Sequence, residues 1–112
     1  MSKIAFICTT HQSQKHRPNG FNLFNNYLES LYLNCEYPFK LFAFDNASED
    51  KFEIENNPDN LQITYIKNQY KGGLTHTWNE GVKQAIKEDY DLCIITSDDQ
   101  IFDKSINILI CL

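Results

Sequence analysis

Near the end of the chain the run CIITSDDQIF, Cys93 to Phe102, leads from an apolar stretch into Ser97, Asp98 and Asp99, with no lysine or arginine beside them. Adjacent carboxylates repel, and each seeks water or a cation. Delivered together by a buried strand, Asp98 and Asp99 suit a hard divalent cation that also grips phosphate oxygens. The plainer alternative is that one aspartate caps the helix beginning near Asp103 while the other is solvated. Asp45 ends the run FKLFAF and opens DNAS. Its carboxylate could accept an N–H from a nucleobase, favouring uracil, thymine or guanine over cytosine. An Asx-turn, with Ser48 capping a short helix, would use the same residues. Lys71, Gly72 and Gly73 precede a segment carrying Trp78, Asn79 and Gly81. A glycine pair lets backbone N–H groups approach a phosphate, and a helix start adds favourable partial charge. The pattern is neither G-x-G-x-x-G nor a P-loop, so by itself it is a weak signal.

The elements that must position these residues follow from hydrophobic periodicity. Lys3 to Thr9 is a short, continuous apolar run rich in β-branched and aromatic residues, the mark of a buried strand. Phe39 to Phe44, Leu61 to Ile66 and Asp91 to Thr96 are the other strands, and the alternating character of LQITYI places it nearer an edge. Phe21 to Asn34 sets Phe24, Tyr27, Leu28 and Leu31 at helical spacing after the start signal Pro18-Asn19-Gly20. Leu74 to Glu88 aligns Trp78, Val82, Ala85 and Ile86 on one face, with Thr77 and Glu80 at capping-box spacing. Asp103 opens a further helix. Strands alternating with helices predict an α/β domain with an open, mostly parallel sheet and right-handed crossovers. In such sheets ligands lie beyond the carboxyl ends of the strands. Those ends carry Thr9-Thr10-His11, Asp45-Asn46, Lys67-Asn68 and Ser97-Asp98-Asp99. The loop cations Lys15, His16, Arg17, Lys67 and Lys71 fall on the same edge, as does His76, although the histidines lack metal-ligand spacing.

Composition bounds the rest. The 112 residues make one modest domain, 1-112, and 42% apolar content marks it as globular. A formal net charge of −5 argues against nucleic acid or an anionic membrane as the main partner. The four cysteines show no CxxC pairing, and two lie in strand-like runs where free thiols pack as small hydrophobes. The opening MSKIAFICTTHQ lacks a signal peptide, and INILICL is too short to span a bilayer, so a reducing cytoplasm is the expected setting. The sequence stops inside that apolar segment, which reads as a truncated domain. An uncovered sheet edge near the fourth strand, and hence a homodimer or larger species, is expected.

Taken in order, FICTTHQ, FAFDNASED, NQYKGGLTHTWNEGVKQAI and YDLCIITSDDQIF resemble the N-terminal half of a family 2 glycosyltransferase of the GT-A fold, over nearly the whole chain. The resemblance implies binding of a nucleotide-diphosphate sugar, carried on UDP or dTDP, with Mn²⁺ or Mg²⁺. It places Thr9 in the loop that holds base and ribose, Asp45 on the nucleobase, and Gly72 and Gly73 near the ribose and diphosphate. Ser97, Asp98 and Asp99 match the DxD region, with nucleotide and metal contacts at Asp98 and the principal metal ligand at Asp99. The chain departs from the pattern in carrying Ser97 for the first aspartate and in lacking the usual proline after the first strand. The family's acceptor site and catalytic base come from a second half, so this chain resembles the donor half alone. A nucleotide-diphosphate-binding module without catalytic activity is the alternative reading.

Overall fold

The computed structural model describes residues 3–54, 57–66 and 73–111. Four strands form one all-parallel sheet: β1 (Ile4–Thr10), β2 (Phe39–Asn46), β3 (Leu61–Ile66) and β4 (Leu92–Ser97), in the order β3-β2-β1-β4. Helix α1 (Gly20–Asn34) joins β1 to β2, α2 (Gly73–Lys87) precedes β4, and α3 (Ser105–Cys111) follows it. The expected alternation of strands and helices is present except between β2 and β3, which no helix separates among the described residues, and β3 lies at an edge as its mixed pattern predicts. Strand β2 runs two residues past Phe44, because Asp45 and Asn46 continue the register opposite Tyr65 and Ile66.

Strand β1 is central and almost wholly buried, which is why its run is continuously apolar. Alternate residues feed two cores. Ile4, Phe6 and Cys8 point into a cluster with Phe24, Tyr27, Leu31, Leu41, Phe102 and Ile106, formed with α1 and α3. Ala5 and Ile7 point the other way, to Phe42, Phe44 and Ala85, with Trp78 and Val82 of α2 packed alongside. Phe102 meets Phe6 and Tyr27 edge-on at centroid distances of 6.0 and 5.4 Å, a geometry worth ~0.5–1.5 kcal/mol per pair beyond burial. Its backbone is fixed as well, with the N–H donating to Ser30 Oγ at 2.9 Å and the carbonyl accepting from Asn34 Nδ2 at 2.9 Å. The chain leaving β4 is thereby tied to α1.

Helix ends explain two local departures from expectation. Thr77 is not a cap. It sits inside α2, fully buried, and donates to the Leu74 carbonyl at 2.8 Å. At the other end, Asp89 takes a left-handed φ of 61°, with Asp89 N–H bonded to Ile86 O and Tyr90 N–H to Ala85 O, a Schellman closure. Asp103, rather than Asp98 or Asp99, starts α3, its carboxylate accepting the Ser105 N–H at 2.8 Å.

The outer side of β4 is uncovered among the described residues, as expected. Ile95, Ile101, Ile108 and Leu109 all lie exposed on or after it. On the opposite side, α2 approaches β1 so closely that a Cβ built on Gly81 would stand 2.5 Å from Ile7 Cγ2. Ile7 is itself fully buried and cannot give way. Gly81→Ala should therefore lower the stability of the domain by roughly 1–3 kcal/mol, read as a reduced urea midpoint with an unchanged slope.

Candidate functional site

The parallel register brings three strand ends to one level. Thr10 pairs with Asp45 across β1 and β2, and Thr9 pairs with Ser97 across β1 and β4. Beyond Ser97 the chain makes a tight turn, in which Gln100 N–H reaches the Ser97 carbonyl at 3.2 Å and Gln100 Oε1 accepts the Ser97 N–H at 2.9 Å. This turn sends the two carboxylates apart. Asp98 is buried, at 7% exposure, whereas Asp99 is exposed.

Asp98 is satisfied within the protein. Arg17, from the β1–α1 loop, meets it with both guanidinium nitrogens, Nη1 to Oδ2 at 2.5 Å and Nη2 to Oδ1 at 2.7 Å. Thr10 Oγ1 donates a third hydrogen bond to Oδ2 at 2.8 Å. The Asp98 carboxylate holds the Arg17 guanidinium still further above its ordinary range, chiefly through these hydrogen bonds. Arg17 stood out in sequence only as one of several loop cations. Its pairing with Asp98, 81 residues away, carries no local signal. Asp99 makes no side-chain hydrogen bond among the described residues, and it is the carboxylate left open to a cation. No group of three or more histidine, cysteine, aspartate or glutamate side chains able to hold a metal ion occurs among them. The two-aspartate pairing expected from sequence does not form among the described residues: Asp98 is held by Arg17 and Thr10, and Asp99 stands alone.

Asp45 follows the turn-forming part of its alternative in this structure, but Ser48 caps no helix among the described residues and accepts the Gln12 N–H instead. Asp45 Oδ1 accepts the Ser48 N–H at 3.0 Å, its carbonyl accepts the Ala47 N–H at 3.0 Å, and Ala47 takes a left-handed φ of 51°. The second Asp45 oxygen makes no hydrogen bond among the described residues. Thr9 Oγ1 is hydrogen-bonded to Thr77 Oγ1, which fastens the end of β1 to α2. His11 Nδ1 is bonded to the Asn46 carbonyl at 2.7 Å, so the histidine braces two strand ends. Two buried polar atoms at this edge, Asn46 Oδ1 and Trp78 Nε1, have no partner among the described residues. Gly73 opens α2. Gly72, with Lys67 and Lys71, lies outside the described residues.

The loops carrying these groups are joined to one another. Ser48 Oγ accepts the Gln12 N–H at 2.8 Å, Gln12 O accepts the Asp50 N–H at 3.2 Å, and Asp50 Oδ2 accepts the Gln14 N–H at 2.5 Å. Gln12 Nε2 donates to Thr10 Oγ1 at 2.7 Å, closing a buried chain Gln12–Thr10–Asp98–Arg17. Two concavities flank the edge. One of about 360 Å³ lies between the 12–18 and 50–53 segments and includes Arg17, Phe21 and Phe52. The other, about 310 Å³, lies between β3 and α2 and includes Tyr65, His76 and Glu80. Neither contains Asp45, Asp98 or Asp99, and the strand-end position locates the candidate site better than concavity does.

An open parallel α/β sheet whose polar residues converge at its carboxyl edge is the class that fold and site define. No protein-family profile and no curated protein matches the chain by sequence. Solved structures match it by fold. The chain is similar to S. aureus TarS 1-349, with a TM-score of 0.69 and 19% identity, over 97% of this chain and 31% of that one. Against TarS 1-349 in complex with UDP the TM-score is 0.72 at 21% identity, with the same coverage. The chain thus spans 31% of the length of these structures. No helix among the described residues is long and apolar enough to cross a membrane.

Beneath the site, Cys8 is fully buried on β1, and burial, with the nearby Asp98 carboxylate, pushes its thiol well up. Cys111 is exposed. A thiol reagent at pH 8 should label Cys111 quickly and Cys8 only after denaturation, with peptide mapping as the readout; early Cys8 labelling would show that the β1 end opens in the native state.

Proposed function

We propose that this chain is a donor-binding portion of a family 2 glycosyltransferase of the GT-A fold, holding a UDP- or dTDP-sugar at the carboxyl edge of the sheet. The observation that carries this reading is the meeting of Thr9, Thr10, Asp45 and Ser97 at one level from three strands, with Asp99 in the turn just beyond, in a fold shared with a structure in complex with UDP. The open oxygen of Asp45 is the group to accept a nucleobase N–H, which suits uracil or thymine. The start of α2 at Gly73 offers partial positive charge to a diphosphate. Asp99 is the residue to hold Mn²⁺ or Mg²⁺, an ion that would supply charge stabilisation to the departing diphosphate. Transfer by inversion also needs a base to deprotonate an acceptor hydroxyl, a role that the resemblance assigns to a second half of the family's chain. A nucleotide-diphosphate-binding module with no transfer activity of its own is therefore the second reading.

Titration calorimetry with UDP and dTDP, with and without Mn²⁺, on the wild type and Asp99→Ala tests the proposal. Metal-dependent binding that is lost in the variant is expected. Absence of binding under every condition would remove the donor site. Sugar transfer to supplied acceptors would separate the two readings.

The uncovered β4 edge supports self-association as a further expectation, because unpaired strand edges and exposed isoleucines invite pairing with another copy. Sedimentation velocity should show a concentration-dependent dimer or larger species. A clean monomer at high concentration would count against it.

A further inference from the structure

We propose that Arg17 is the resident cation of this site, occupying Asp98 in place of a divalent metal, so that a metal ion is admitted only on Asp99 and only together with a diphosphate. This rests on the reading of the edge as a diphosphate site.

The Arg17–Asp98 contact is built into the fold. Its two nitrogens meet the two carboxylate oxygens at 2.5 and 2.7 Å, the planar fork that arginine offers and lysine does not. Thr10 adds the third hydrogen bond. The arginine's stem has a place made for it, since a Cβ built on Gly20 would stand 3.1 Å from Arg17 Cγ and Cδ and 2.9 Å from Gln12 Oε1. The backbone is held on both sides, with Arg17 N–H bonded to Ser13 O at 2.7 Å and Arg17 O accepting the Gly20 N–H at 2.9 Å. Nη1 also reaches the His11 carbonyl at 3.4 Å.

A metal ion has little to gain at such a carboxylate. Oδ2 already accepts two hydrogen bonds and Oδ1 accepts one, so a spare lone pair on Oδ1 lies directly beside the guanidinium charge. Placing a divalent ion there sets like charges a few ångströms apart in a buried setting. Displacing Arg17 instead strips it from a carboxylate that is only 7% exposed, an expensive rearrangement. Asp99 is free of both constraints but supplies a single side chain. Hard divalent ions want six or more oxygens, so the remainder must come from water and phosphate.

The test uses the metal alone first. Mn²⁺ titrated without nucleotide, followed by electron paramagnetic resonance of the free ion, should show no saturable site on the wild type. Arg17→Gln should acquire a saturable nucleotide-free site where the wild type has none, because the Asp98 carboxylate then lacks its counter-charge. Adding Asp98→Asn to Arg17→Gln should abolish that gain. Equal metal-alone binding by the wild type and Arg17→Gln would overturn the proposal, as would a gain that survives Asp98→Asn. Should Arg17→Gln fail to fold, the wild type decides the matter. Its Arg17 guanidinium resonances should stay fixed under millimolar Mg²⁺, and their collapse to free-arginine positions would overturn the proposal. Adding UDP in a second arm keeps the failures apart. Loss of UDP binding removes the donor reading, whereas the metal-alone difference stands or falls by itself.

Discussion

A carboxylate buried at a strand end must find a counter-charge, and the Asp98 side chain meets that requirement through Arg17. Leaving such a charge unpaired would cost several kcal/mol, a large share of the stability of a domain this small. The requirement reaches well beyond the pair. For Arg17 to arrive, the segment after β1 must fold back over the carboxyl edge, and it does so through the Arg17–Ser13 and Gly20–Arg17 backbone hydrogen bonds. Once closed, the loop places Gln12 against Thr10 and Ser48, and so fixes the turn that follows β2. One ion pair thus organises the ends of β1, β2 and β4 together.

The sheet supplies the frame in which that pair can form. Because β1 lies between β2 and β4, its last residues reach partners on both sides and both faces. Thr9 turns toward α2 and bonds Thr77, while Thr10 turns the other way and bonds Asp98. A step below, Thr96 donates to the Ile7 carbonyl at 2.9 Å and is met by the Tyr27 hydroxyl at 2.7 Å, so α1 is registered to β4 through a buried polar contact. Such contacts fix position more than they add stability, since each net hydrogen bond is worth only ~1 kcal/mol. Their value lies in holding Asp98 within reach of a loop that closes from the far side of β1.

Most of the fold is legible in the sequence, because it follows from periodicity. The continuous run IAFIC can be satisfied only by burial on both faces, and the alternation in LQITYI only by an edge. Positions governed by long-range pairing are another matter. Thr77 has capping-box spacing from Glu80, yet tertiary contact with Thr9 draws it into the helix interior and Gly73 becomes the start. Asp45 was open to two uses in sequence, and the left-handed Ala47 shows the turn to be one of them. The adjacent pair Asp98-Asp99 announced a charge problem, but its solution by Arg17 depends on how a loop closes in space. Gly20 had a signal in its place at the start of α1. Its service to the Arg17 stem had none.

The same electrostatics constrain what the edge can hold. Arg17, engaged by Asp98, contributes little net charge to a ligand, and Asp99 adds a negative one. Of these two side chains, a diphosphate brought to this edge would therefore meet only the negative one unscreened, on a protein already at −5. The start of α2 at Gly73 offsets part of it, with the equivalent of roughly half a positive charge. Under the proposed function, the rest would come from a cation that arrives with the ligand or from side chains that approach it. If the edge takes a diphosphate as proposed, this arrangement would discriminate by charge balance, favouring a diphosphate accompanied by a cation over either alone, and the burial of Asp98 against Arg17 would create that preference.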